Sequence, residues 1–292
     1  MSKKQIVIFI LTALMSFASI SSGEQHIVSK KVNSEPVIDG KAENMWDNAK
    51  SIITHDNIAN IDVTLKSVHT GKKIFFMAAF PDKDESRTHK SWVWNKTTEI
   101  YEIGNDREDV FLFKWNMEPA PVDLSIYSDN IYKADVWYWK ACRTDPLGYA
   151  DDKIDILSTM ENRNAVKLES KSKRIMYLLR NEDKGDAAFR TNLVVTYKGD
   201  VVTRFILQEP TESRKDIKAK GTWNNGIWTI EFSRAIMTGN EDDVQFSLQP
   251  GRKFQFGISR YEIGGLKPDP KLSQPLFGCG DVSENLFLVF EQ

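Results

Sequence analysis

The chain breaks its apolar residues into short alternating runs, each closed by a turn signal, and that pattern points to sheet. In GIWTIEFSRAI (226–236), Trp228, Ile230 and Phe232 fall on one face, with Thr229, Glu231 and Ser233 on the other. KFQFGIS repeats the device with Phe254, Phe256 and Ile258. IDVTLKSVHT (61–70), KIFFMAAF (73–80), EDVFLFKW (108–115) and NLVVTY (192–197) are rich in β-branched and aromatic residues, and NLFLVFEQ closes the chain in the same manner. TGKK, PDKDES and QPGRK separate such runs, and WNNG between two alternating runs is a hairpin signal. Helical signal is confined to one or two turns in DGKAENMWDNAKSI. The expectation is an all-β fold: an antiparallel β-sandwich with a few short helical turns in its loops. The charged stretches 167–174 and 209–221 read as solvated loops or strand edges.

The first residues stand apart from this pattern. MSKK, then the apolar IVIFILTALMSFASI, then SSG before the polar EQH, reads as a signal peptide over residues 1–23. The expected product is an exported protein, periplasmic or secreted, with residues 24–292 as one domain. No second long apolar run follows, so no membrane span is expected in the mature chain. A net charge near −2 over 292 residues gives no basic footprint for nucleic acid. Export leaves Cys142 and Cys279 in an oxidising compartment, where they either pair or stay free thiols. No CxxCH occurs, which excludes covalent c-type haem.

Signatures of catalysis are missing from the sequence. There is no Walker loop, GxGxxG after a strand, GxSxG or HExxH, and the four histidines are scattered. The acidic pairs Glu108/Asp109 and Asp151/Asp152 read more readily as turn or calcium-loop residues than as glycosidase carboxylates.

Two motifs remain. PVIDGKAENMWDNAK (36–50) joins an Asp39-Gly40 turn to Trp46, whose ring can bury under the first strands. It resembles the opening of the family-9 carbohydrate-binding-module-like β-sandwich superfamily, which includes sugar binders and haem binders. REDVFLFKW (107–115) followed by ADVWYWKACRTDPLGYADD (134–152) is similar to the haem-binding domain of the ethylbenzene dehydrogenase gamma-subunit family, with gamma subunits of dimethylsulfide dehydrogenase and selenate reductase as relatives. The resemblance covers roughly residues 30–292. It implies a haem b held without covalent bonds, with one lysine and one methionine as axial ligands. Lys140 takes the lysine's place in the block. The methionine is Met77, in KIFFMAAFPDKDES, or Met117, in FKWNMEP.

On a strand, Val136, Tyr138 and Lys140 share one face, and Trp137 and Trp139 the other. Tyr138 is thus placed beside the cofactor, with Trp137 and Trp139 packed behind it. With both axial positions filled, such a haem passes single electrons and the chain is no enzyme by itself. The implied partner is a redox protein, either molybdenum-enzyme subunits or a cytochrome. The competing expectation is a carbohydrate-binding module, with Trp92 and Trp94 of HKSWVWNK sharing a strand face as a stacking platform.

Overall fold

The computed structural model describes residues 24–57, 60–261 and 282–291. In chain order its strands are β1 (Gln25–Lys31), β2 (Ile52–Asp56), β3 (Ile61–His69), β4 (Lys73–Pro81), β5 (Trp92–Asn95), β6 (Ile100–Ile103), β7 (Val110–Asn116), β8 (Tyr132–Lys140) and β9 (Asp151–Ser158). They continue as β10 (Val166–Glu169), β11 (Ile175–Glu182), β12 (Phe189–Thr191), β13 (Val201–Val202), β14 (Phe205–Leu207), β15 (Lys218–Asn224), β16 (Ile227–Ala235), β17 (Phe254–Tyr261) and β18 (Leu286–Phe290). Helical structure among the described residues is limited to short 3-10 turns at Asn44–Asn48, Asp145–Leu147 and Glu212–Lys215.

Two layers face each other. One runs β10-β11-β9-β8-β7-β17-β18-β1, the other β1-β3-β4-β16-β15, with β2 also on β3. The antiparallel sandwich expected from the alternation is therefore present, with one departure. β1 runs parallel to both neighbours, pairing Gln25–Ser29 with β18 and Lys30–Lys31 with β3, so a single strand passes from one layer to the other. The WNNG signal forms a two-residue hairpin, with Asn224 opposite Ile227. Asn225 and Gly226 both take positive φ, 50° and 82°, the conformation that matches the strand twist.

The inward faces fill the space between layers. Phe76 and Phe80 of β4 and Trp228, Ile230 and Phe232 of β16 meet Phe111, Phe113 and Trp115 of β7 and Trp137 and Trp139 of β8. The Phe76 ring lies 4.9 Å from Phe113 and 5.4 Å from Trp115, so aromatic contacts tie the sheets together. Each outer face carries a further apolar cluster. Tyr132, Ala134, Leu157, Met176 and Leu178 lie under Leu124 and Ile126 on one side. Trp46 covers Val68, Phe75 and Met77 on the other. Trp46 is buried as expected, and its indole donates to Glu231 at 2.7 Å.

Two expectations are corrected. NLVVTY forms no strand: only Thr191, just before it, lies in one, and Leu193 and Val195 are 82% and 93% exposed. Its apolar side chains find no layer to pack on, and β propensity without a partner does not make a strand. The 209–221 stretch is not simply solvated. It carries buried Arg214, Ile217 and Ala219, while its end forms the start of β15, the edge strand of its layer, where the strand-edge reading holds. Residues 167–174 hold β10 at the sheet edge, in line with the strand-edge reading.

Candidate functional site

Lys140 ends β8 and is 2% exposed. Alternation sends it outward from its sheet beside Tyr138, while Trp137 and Trp139 point inward and are fully buried in the main core. Its ammonium ion-pairs with Asp151 and lies 4.6 Å from the Tyr138 ring and 5.1 Å from Phe189. Asp151 also accepts from Arg214 Nε at 3.0 Å and lies 3.7 Å from the Lys153 ammonium. Burial pulls the Lys140 amine down to about 7, with Arg143 and Lys153 acting in the same sense against Asp151. Lys140, Lys153 and Arg214 hold the Asp151 carboxyl below its usual range despite its burial. One carboxylate shared among three cations leaves the lysine as the group that gives up a proton.

The rest of the RTDPLGYADD block is also structural. Arg143 pairs with Glu108. Asp145 accepts from Trp139 Nε1 at 2.9 Å, Gly221 N at 2.6 Å and Arg87 Nη1 at 2.6 Å. Thr144 Oγ1 accepts from the Lys140 backbone N–H at 3.0 Å.

Met77 lies elsewhere. It points outward from β4, under Trp46, on the outer face of the opposite sheet. Lys140 and Met77 are thus separated by both layers, about 10 Å of sandwich, and point away from each other. The structure does not bring these two expected ligands together. Cys142 is half-buried, and burial together with Glu108 pushes its thiol up to about 12. Cys279, and with it the expected pairing, lies outside the described residues, as does the expected signal peptide.

The other candidate methionine lines a cleft that also holds a lysine the sequence reading did not single out. Met117 follows β7 directly, and Lys253 directly precedes β17, whose Phe256 pairs with Trp115. Both line a cleft of about 410 Å³ at the end of the layers, together with Pro119, Val244, Phe254 and Phe287. That volume falls within the range of small-molecule sites. Lys253 reaches Glu24 at 2.8 Å and lies 5.8 Å from the Phe287 ring. A neighbouring cleft of about 640 Å³ shares Pro121 and Gln255 with it and is lined by Leu124, Tyr127 and Lys171. Neither cleft is lined by Lys140 or Met77. The signal for Lys253 lay in its place at the head of an alternating run, which carried no chemical hint.

Trp92 and Trp94 sit on the small sheet β13-β5-β6. Trp92 donates to Asn192 O at 2.7 Å, and Trp94 packs 4.9 Å from Tyr101 and 5.2 Å from Tyr197. No helix among the described residues is long and apolar enough to cross a membrane.

Fold and cleft define the class: a two-layer β-sandwich with buried charge networks and a recess of mixed character at one end. The chain belongs to the ethylbenzene dehydrogenase family, which it matches over residues 42–263, and that family carries the name of a redox enzyme. No curated protein matches it. Among solved structures it is similar to a family-9 carbohydrate-binding module from Caldicellulosiruptor kristjanssonii in complex with glucose, at 9% identity over 91% of this chain and 96% of that one, with a TM-score of 0.38. It is also similar to a putative carbohydrate-binding protein from Bacteroides uniformis, at 11% identity over 92% and 100%, with a TM-score of 0.42. Likenesses this distant carry no argument about a ligand.

Proposed function

We propose that this chain is an exported haem b protein that passes single electrons as a subunit of a redox enzyme complex. The observation that carries the reading is the end cleft, where a methionine and a lysine line one recess. Family membership supplies the expectation of a Met/Lys-held haem, and the donor set fits. Met117 offers a thioether, Lys253 an amine, and Phe254, Phe287, Val244 and Pro119 offer apolar wall. A haem so held supplies one-electron chemistry. Met117 and Lys253 would hold such a group, and those ligands would set its potential. Lys253 would have to leave Glu24 to serve as a ligand. Lys140 then has a different role, as the ammonium of a buried ion network.

An absorption spectrum of protein made in haem-replete cells tests this. The expected product is red, with a low-spin haem. Met117→Ala and Lys253→Ala should each open an axial position and shift the spectrum and the potential, while Lys140→Ala and Met77→Ala leave both unchanged in whatever haem-loaded protein is recovered. Colourless protein, or a spectrum that responds to Lys140 and not to Lys253, defeats the assignment.

A further inference from the structure

Asp151 and Asp152 are neighbours on β9, so they face opposite sides of the sheet. Asp151 goes outward to Lys140. Asp152 goes inward, where it is fully buried and neither carboxylate oxygen accepts from an N–H or hydroxyl donor among the described residues. It is aimed at two further buried carboxylates, Asp135 of β8 and Asp243 of the segment before β17, and the three bring oxygens within 4.8 Å of one another. Asp243 belongs to a second such trio, with Asp183 and Asp242, and both oxygens of buried Asp183 also lack a partner. Among the described residues one buried guanidinium touches this group: Arg234 donates to Asp135 at 2.6 Å and lies 3.7 Å from Asp243.

We propose that Asp135, Asp152 and Asp243 hold a calcium ion inside the sandwich, with Asp183 and Asp242 supporting it from the far side of Asp243. Several carboxylates against one guanidinium leave a buried negative excess, which is costly unless a cation or protons offset it. Oxygens within 4.8 Å of one another can converge on one ion that takes its ligands at about 2.3–2.6 Å, and calcium accepts irregular oxygen geometry where magnesium demands a near-ideal octahedron. The donors are all hard oxygens, which disfavours softer metals. The unsatisfied oxygens of Asp152 would find their partner in the ion. Asp243 and Val244 also wall the end cleft, so the ion would brace that wall from behind. The rival is proton sharing. Burial and mutual repulsion push Asp183 up to about 8 and Asp135 up to about 6, and Asp152 and Asp183 are close enough to share a proton.

The experiment uses haem-free, chelator-treated protein, so its result is independent of the haem assignment. Calcium chloride is titrated by calorimetry, and terbium luminescence is excited through Trp137, whose indole lies 3.3 Å from Asp135. Expected are about one calcium per chain, a melting temperature several degrees higher with calcium, sensitised terbium emission that calcium displaces, and no comparable effect of magnesium. Asp152→Asn should weaken calcium binding by more than about tenfold while stabilising the metal-free protein. If that variant does not fold, Asp242→Asn, at a half-exposed position, should weaken binding instead. Absence of calcium binding to the unmodified protein, or Asp152→Asn raising stability equally with and without calcium, overturns the proposal in favour of shared protons.

Discussion

Lys140 shows how a single side chain can carry a pH signature. Its amine sits at about 7 in the fold against an ordinary 10.5. Below pH 7 it is charged in both states and adds no slope. Between about 7 and 10.5 the unfolded chain binds a proton that the folded chain lacks, so stability rises with pH across that window, by something on the order of a few kcal/mol. Lys140→Met should flatten that rise, because Arg214 still answers Asp151 while the titrating amine is gone. Urea midpoints from pH 6 to 10 for both proteins read this directly. Parallel curves would show that Lys140 does not titrate in that window.

Elements decide how closely side chains can approach. β15 lies against the inward ring of Trp139 at Gly221, where an added Cβ would come within 2.5 Å of Trp139 Cζ2 and 3.3 Å of Ile230 Cγ1. Trp139 cannot easily yield, being held by Asp145 and packed 5.0 Å from Trp228. Gly221→Ala should therefore cost about 1–3 kcal/mol through overpacking, measured as a lowered urea midpoint; a midpoint at the native value would mean that Trp139 has room to shift. Much of this layer was legible in the sequence. The alternation of β16 and β17 and the Asn225-Gly226 turn are local patterns, and each found the partner strand that NLVVTY lacked. Alternation also correctly set Trp137 and Trp139 on the face opposite Lys140. It could not say which layer a strand joins, so Met77 and Lys140 looked compatible although two sheets separate them. Nor could it show the acid cluster or the partner of Asp151. Arg214 lies 63 residues from Asp151, and Val244, the neighbour of Asp243, donates to Asp135 from 109 residues away.

At the scale of the whole molecule, β1 is the seam. It offers Gln25–Ser29 to β18 and Lys30–Lys31 to β3, and Lys31 N–H donates to Glu291 at 3.1 Å. Removing residues 25–31 would bare an edge on each layer, and bare edges recruit other chains. The shortened protein should unfold at lower urea and form soluble aggregates visible by light scattering; a monodisperse protein of native stability would show that the layers hold without their shared strand. The seam also sets an order in time. The partner of β1 within the first layer is made much later, 260 residues after Lys31 in the case of Glu291. At roughly 5–20 residues per second, the first strand waits on the order of 10–50 s for its mate to be synthesised. Until then the edge it will cover stays open, and whatever keeps the nascent chain from closing on a wrong neighbour must act throughout that interval.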